Sequence, residues 1–232
     1  MGDRHIEYTV IKEKTNKLGF DLYLVDINGL LDRENIYSYD DDPERFTAFQ
    51  IAVVNWLSNW EHKPDVVHCH DHHTGLIPFM MQHCYDYKNL ADIPSVITIH
   101  NGQYQGWMGW DKSNYLPAWD PWKWGMLDWA NSINPMASAV KCAWKVTTVS
   151  HSYLDELRQE SNGLQDLFQY EVGKSSGILN GIDNQVWDPQ TDSMIAKNYD
   201  KELVAKGKKK NKKELAGQYG LDPDKPLIAF IG

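Results

Sequence analysis

The sequence predicts an α/β fold built on a mostly parallel, doubly wound sheet, and three observations carry that expectation. Short apolar runs rich in Val and Ile, such as 95-SVITI-99 and 145-KVTTV-149, recur along the chain. They are nearly continuous in apolar character, as parallel strands are when helices cover both faces of a sheet. Between them lie longer segments with apolar residues near helical spacing, and strand, helix, strand repeated is the pattern of a doubly wound sheet.

Taken in order, the first expected strand is 20-FDLYLVD-26. A helix over 43–60 follows, opening on Pro43 and Glu44 and placing Phe46, Phe49, Val53, Trp56 and Leu57 near helical spacing. Strand 65-DVVHC-69, helix 75–88, strand 95–99 and helix 134–143 continue the alternation. After strand 145–149, Ser150 is the expected N-cap of a helix over 151–160, and 175-SSGIL-179 is the next strand. From Asn180 to about Lys206 the pattern fades into NGIDNQVWDPQTD, full of Asn, Asp and Pro, which reads as a connection. A helix at 210–219 and a strand at 226-PLIAFI-231 then open something new. The expected organisation is a domain over 1–179, a connection over 180–207 and the start of a second domain over 208–232.

Composition narrows the function. The 232 residues are 42% hydrophobic and 24% charged, ordinary for a globular chain. A net charge of −9 argues against nucleic acid as a partner. The one basic run, 206-KGKKKNKK-213, lacks interleaved aromatics and reads as a solvated helix face rather than a phosphate patch. No run of about eighteen apolar residues occurs, so no membrane span is expected. The start MGDRHIEYTV has no apolar core of a secretory signal. Cys69, Cys84 and Cys142 are odd in number and without CxxC spacing, as reduced thiols in a cytoplasmic protein would be. Oligomeric state is left open.

The densest chemistry is 68-HCHDHH-73, directly after an apolar run. Three readings compete. His68 and His70, two apart on a strand, share a face and could bind a metal, as in a metal-dependent hydrolase. Asp71 follows His70 directly, however, one position too early for an HxHxDH site, and later strands end without further ligands. His68 alone reads best as a buried, hydrogen-bonded residue. The third reading is a strand-to-helix turn lining a cleft, with the N–H groups of a following helix facing a polar ligand. The next strand supports it, because 99-IHNGQYQGWMGW-110 again puts polar residues, His100 and Asn101, just past an apolar run. Around them come Tyr104, Trp107, Trp110, Trp119, Trp122, Trp124 and Trp129. Indoles in Gly- and Pro-containing loops suit the C–H faces of sugars, although each could equally be packed core.

The stretches 65-DVVHCHDHHTGL-76, 96-VITIHNGQYQG-106, 146-VTTVSHSY-153 and 177-GILNGIDNQVWDPQTD-192 resemble, in order and spacing, bacterial glycogen synthases and plant starch synthases. The preceding 23-YLVDINGLLDR-33 is also similar, so the resemblance covers about Phe20 to Gly232. It implies a GT-B-like pair of facing Rossmann-like domains and a retaining glucosyltransferase. Glucose would pass from a nucleotide-glucose, usually ADP-glucose in bacteria, to the non-reducing end of an α-1,4-glucan. The donor would lie between the domains, with 1–179 on the glucan acceptor side. The resemblance implies catalytic roles for Asp71, near the donor sugar, and His100. Asn101 matches an asparagine that hydrogen-bonds the glucose, Asn180 one at the domain junction, and Tyr23 a tyrosine linked to acceptor binding. Tyr104 and Gln105, in the same NGQYQG stretch, join these as substrate-binding candidates. No metal or other cofactor is implied.

Departures accompany the match. The family's lysine–glycine–glycine loop does not precede Phe20, and its diphosphate-binding Arg and Lys would follow Gly232. His72 stands where the bacterial enzymes often have Trp. The expectation is therefore a fragment of such an enzyme, inactive alone. Two alternatives remain: a non-catalytic glucan-binding module and a metal-dependent hydrolase using the histidine cluster.

Overall fold

The computed structural model describes residues 1–2, 4–15 and 17–230. The chain divides into two compact units, Met1–Leu179 and Asn180–Gly232.

The first unit opens with β1 (Thr9–Lys12) and β2 (Tyr23–Asp26), paired antiparallel with Thr9 opposite Asp26 and Lys12 opposite Tyr23. The strand expected at 20–26 thus belongs to a separate two-stranded ribbon, not to the parallel sheet. Its residues alternate between half-buried and exposed, as a ribbon wetted on one face requires. The partner TVIK is only four residues long and runs into charges, so it left no strand signal in the sequence. Helix α1 (Asp42–Ser58) follows, with Pro43 in its first turn and Ala48, Ala52 and Val54 buried.

The main sheet is built from β3 (Val67–His70), β4 (Ser95–Ile99), β7 (Lys145–Thr148) and β8 (Ser175–Gly177), parallel and in that spatial order. The connections carry α2 (Ile77–His83), a β5–β6 hairpin (Asp128–Trp129 with Ser132–Ile133), α3 (Pro135–Cys142), α4 (His151–Gln159) and α5 (Gln165–Tyr170). Because this order never doubles back, right-handed crossovers bring the connecting helices to one side of the sheet. Burial follows that rule. Cys69, Ile97, Ile99, Val146 and Thr148 are buried on the helix side, beside Leu76, Phe79, Met80 and Val140. The alternate positions His68, His70, Thr98, Thr147 and Ser176 are exposed or half-buried. The expectation of cover on both faces is therefore met on one face of these four strands. The α/β class and the parallel sheet stand.

Caps form where side chains allow them. Ser150 Oγ accepts from Tyr153 N (2.9 Å) and Asn134 Oδ1 from Ala137 N (2.9 Å), starting α4 and α3. The helix expected over 75–88 breaks at Cys84, whose backbone is extended because Tyr85 N donates to Ala118 O (2.9 Å). A tight helical stretch, Tyr85–Leu90, completes it. No helix of the described residues is long and apolar enough to cross a membrane.

In the second unit, α6 (Val204–Gln218) begins six residues earlier than the expected 210, so the lysine run lies inside it. Residues 226–230 form no strand, and Ile228 and Phe230 are exposed. A strand needs a neighbour to take its N–H and C=O groups, and the described residues supply none there. Residues 231–232 lie outside the described residues.

A single methyl tests how closely β8 meets α4. A Cβ on Gly177 would fall 2.4 Å from Ser150 O and 2.4 Å from His151 Cα, both backbone. Gly177→Ala should destabilise the fold by about 1–3 kcal/mol in urea unfolding, through overpacking that backbone cannot relieve.

Candidate functional site

The site starts with a turn. β3 ends at His70, and Asp71 adopts φ 53° with ψ −172°, a strained positive-φ conformation that residues other than glycine seldom take. Its neighbour strand holds it there. Asp71 N donates to Thr98 O (3.0 Å), while Asp71 Oδ1 accepts from the backbone N–H groups of His100 (2.8 Å) and Asn101 (3.3 Å). One residue thus stitches together the carboxyl ends of two adjacent parallel strands. Thr74 Oγ1 locks the far side of the turn, accepting from His70 N (2.6 Å) and donating to His70 O (2.8 Å).

Beside the stitch lies a cavity of about 600 Å³. Tyr37, Ser38, Asp42 and Phe46 border it from the approach to α1 and its first turns; Asp71, His72 and His73 come from the turn after β3. Asn101, Tyr104, Gln105, Gly106 and Trp107 come from the loop after β4. The His72 and His73 rings stack 3.8 Å apart, and Phe46 meets His73 edge-on at 4.4 Å. Gly106 is required by this packing. It has φ 69°, and a Cβ there would sit 2.5 Å from His72 Cδ2. His72 Nδ1 and His73 Nε2 are buried without a hydrogen-bond partner, a costly state.

The electrostatics favour a neutral ligand. Burial, and then the neighbouring His73, push the His72 pKa down from 6.5 to about 4, so the ring is uncharged near neutrality. Burial lowers His73 in the same direction. Among the described residues, Asp42 and Asp71 border the cavity and no Lys or Arg does. Aromatic faces, carboxylates and neutral imidazoles suit a polyhydroxylated sugar; a diphosphate would meet no compensating charge.

On the open face of the sheet the histidines form a row. His68 Nε2 lies 2.7 Å from Thr98 Oγ1, which lies 2.6 Å from Thr147 Oγ1. His70 Nδ1 lies 3.0 Å from His100 Nε2. Burial, His68 and His100 all lower the His70 pKa. Among the described residues no group of three or more His, Cys, Asp or Glu is arranged to hold a metal ion.

Of the residues singled out from the sequence, Asp71, Asn101, Tyr104 and Gln105 come together at the cavity. His100 neighbours them through its backbone, while its ring engages His70. Gln105 is 5% exposed and its amide is engaged internally, donating to Ser161 O and Asn162 O and accepting from Asn134 Nδ2. Tyr23 does not border the cavity; it packs on Trp56 at 4.7 Å and under Lys12. Asn180 belongs to the second unit and is exposed. Sequence reasoning missed Tyr37, Ser38 and Asp42, just ahead of the expected helix, and read Phe46 only as an apolar position of that helix. The tryptophans divide. Trp110 and Trp129 donate to Asp128 and to Gly163 O, and Trp119 packs on Phe79, whereas Trp107 borders the cavity and Trp122 is free in solvent.

A family model described as the starch synthase catalytic domain matches residues 2–170. The chain belongs to this family. A glycogen synthase of Flavobacterium johnsoniae is 53% identical over 232 residues, covering all of this chain and 49% of that protein. One from Streptococcus gordonii is 35% identical over 222 residues, covering 92% of this chain and 46% of that protein. The solved catalytic domain of starch synthase IV from Arabidopsis thaliana, bound to ADP and acarbose, superposes with a TM-score of 0.74 at 26% identity. That superposition covers 96% of this chain and 50% of the solved one. The chain thus spans about half the length of the relatives it matches, and shares their α/β, GT-B-like architecture over that span.

Two outcomes follow from the stitch and the imidazoles. Asp71→Ala removes the acceptor and leaves a side chain ill suited to positive φ, so urea unfolding should show a loss of about 2–3 kcal/mol. Asp71→Asn, which keeps an acceptor oxygen in the same place, should lose less than half as much. The second outcome concerns pH. Unfolded imidazoles take up protons before the buried ones, so the folded state loses stability as pH falls from 6.5 towards about 4 and keeps it above that range. The unfolding midpoint should fall across that window, and His72→Phe should flatten the fall without abolishing it, because His70, His73 and His83 are shifted the same way.

Proposed function

We propose that this chain carries the acceptor-side half of a glycogen-synthase-type glucosyltransferase, moving glucose from a nucleotide-glucose to an α-1,4-glucan. The observation that supports this best is the joining of Asp71 and Asn101 to a cavity with aromatic walls and no cation. In this reading the cavity receives glucose units of the acceptor next to the donor sugar. Asp71 commits Oδ1 to the backbone and offers Oδ2 to a sugar hydroxyl. Asn101 Oδ1 accepts from Gln103 N (3.0 Å), which orients its amide N–H groups for the same ligand. His100, held through its backbone by Asp71, acts on the donor glucose, and Asn180 takes its family role at the junction.

Transfer breaks the bond between glucose C1 and the diphosphate oxygen and forms a bond from C1 to the acceptor O4, whose hydroxyl proton leaves with the diphosphate. Charge growing on the diphosphate needs cationic groups or helix N–H groups. None of the cations borders the cavity, so those charges are proposed to come from elsewhere in the whole enzyme. ADP-glucose is the proposed donor, in line with the ADP in the Arabidopsis thaliana relative. Within the same proposal, 180–207 is the interdomain connection, 208–232 begins the nucleotide-binding domain, and the protein is cytoplasmic. Tyr104 and Trp107 supply stacking surface, Gln105 positions the loop that carries them, and Tyr23 supports α1 through Trp56.

A non-catalytic glucan-binding module is the second reading, favoured by the exposed Trp107 and Tyr104 rings. Calorimetric titration of the purified chain with acarbose, alongside a labelled ADP-glucose transfer assay, tests both. The chain alone should bind acarbose and incorporate no glucose, and Trp107→Ala should weaken binding about tenfold, roughly 1.4 kcal/mol. An absence of binding would sink the acceptor-side assignment. Binding by the chain, with no transfer by a full-length relative altered at the Asp71 position alone, keeps the catalytic reading; unimpaired transfer favours the binding module.

A further inference from the structure

Arg45 plays no part in the chemistry above, yet it is the largest fully buried side chain of the described residues and 2% exposed. A buried guanidinium is costly unless its donors find partners, and Nε and Nη1 of this one find theirs by gripping a loop. Arg45 Nε donates to Leu30 O (2.6 Å) and Nη1 to Ile36 O (3.1 Å), six residues further along. Nη1 also pairs with Asp42 Oδ1. The other oxygen of that carboxylate, Oδ2, accepts from Ser38 N (2.7 Å) and Tyr39 N (3.2 Å). The guanidinium lies 4.8 Å from the Tyr39 ring and 5.4 Å from the Phe46 ring, both apt for a planar cation.

The flanks of the loop are also braced, by Arg33 on Gly29 O and Asp41 and by Asn35 N donating to Tyr39 Oη (3.0 Å). Ile36 and Tyr37 are exposed, and Ser38 has φ 82°, so neither apolar burial nor backbone preference settles that stretch. Tyr37 and Ser38 nevertheless form one wall of the cavity, with the Tyr37 ring 6.3 Å from that of His73.

We propose that Arg45, through Asp42, is a positioning residue that sets the Tyr37–Ser38 wall of the cavity and thereby its affinity for sugar. The fork geometry matters. One planar group spans Leu30 O, Ile36 O and Asp42 at once, which an ammonium cannot do. The affinity part rests on the acceptor-side reading; the loop part stands without it.

The test compares wild type, Arg45→Lys, Arg45→Met, Tyr37→Ala and the double variants combining each Arg45 change with Tyr37→Ala. Hydrogen exchange reads the Ser38 and Tyr39 amides, thermal unfolding reads global stability, and calorimetry reads acarbose affinity. Exchange at Ser38 and Tyr39 should quicken about tenfold in both Arg45 variants, equivalent to about 1.4 kcal/mol of local opening, with α2 and β4 amides less affected. Acarbose should bind several-fold more weakly to Arg45→Lys, and adding that change to Tyr37→Ala should weaken binding no further, because one acts through the other. Unchanged exchange at the two amides overturns the clamp. Additive affinity losses overturn its control of the ligand wall and leave Arg45 a stabilising residue only. Should Arg45→Met fail to fold, Arg45→Lys carries both readings. Should wild type not bind acarbose, the acceptor-side assignment falls, and the exchange data alone decide whether Arg45 sets the loop.

Discussion

Everything at this site hangs on one carboxylate that bonds backbone rather than side chain. Asp71 spends Oδ1 on the N–H groups of His100 and Asn101, and its own N–H on Thr98 O. Positive-φ backbone of this kind at a non-glycine residue costs about 1–3 kcal/mol, and charge-assisted hydrogen bonds return roughly 1.5–3 kcal/mol each. The conformation is favourable only because the second strand is present to donate. The turn after β3 and the loop after β4 are therefore one structural object, and the cavity between them inherits its shape from a single residue.

The cavity is defined as much by missing charge as by what lines it. Two stacked imidazoles kept neutral by burial, an aspartate occupied by a buried guanidinium, and a glycine that lets the β4 loop close over His72 together make a wall of aromatic faces and unsaturated nitrogens. Under the proposed reading a sugar meets this wall, in a chain that belongs to the starch synthase family.

How much of this was legible in the residues depended on whether a signal was local. The strands at 65–69, 95–99 and 145–149 and the Ser150 cap were readable because Val and Ile runs and N-cap chemistry act within a few residues. The polar ends of β3 and β4 could be placed together because parallel strands share a carboxyl edge. The ribbon partner of 23–26 was invisible, since four residues ahead of a charged stretch form a strand only by pairing. Tyr37 and Asp42 were missed for a related reason. Their position is set by Arg45, whose partners lie up to fifteen residues away and leave no periodic trace. At 226–230 an apolar run looked like a strand, but apolar character cannot make one without a neighbour.

The unreversed order of the four parallel strands has a consequence for what each strand residue touches. Helices crowd one side, so Cys69, Ile97, Ile99, Val146 and Gly177 sit against solid matter. The residues between them meet water or short hydroxyl and imidazole neighbours. Each strand thus alternates between positions set against helices and positions whose partners are the imidazoles and hydroxyls of the neighbouring strand.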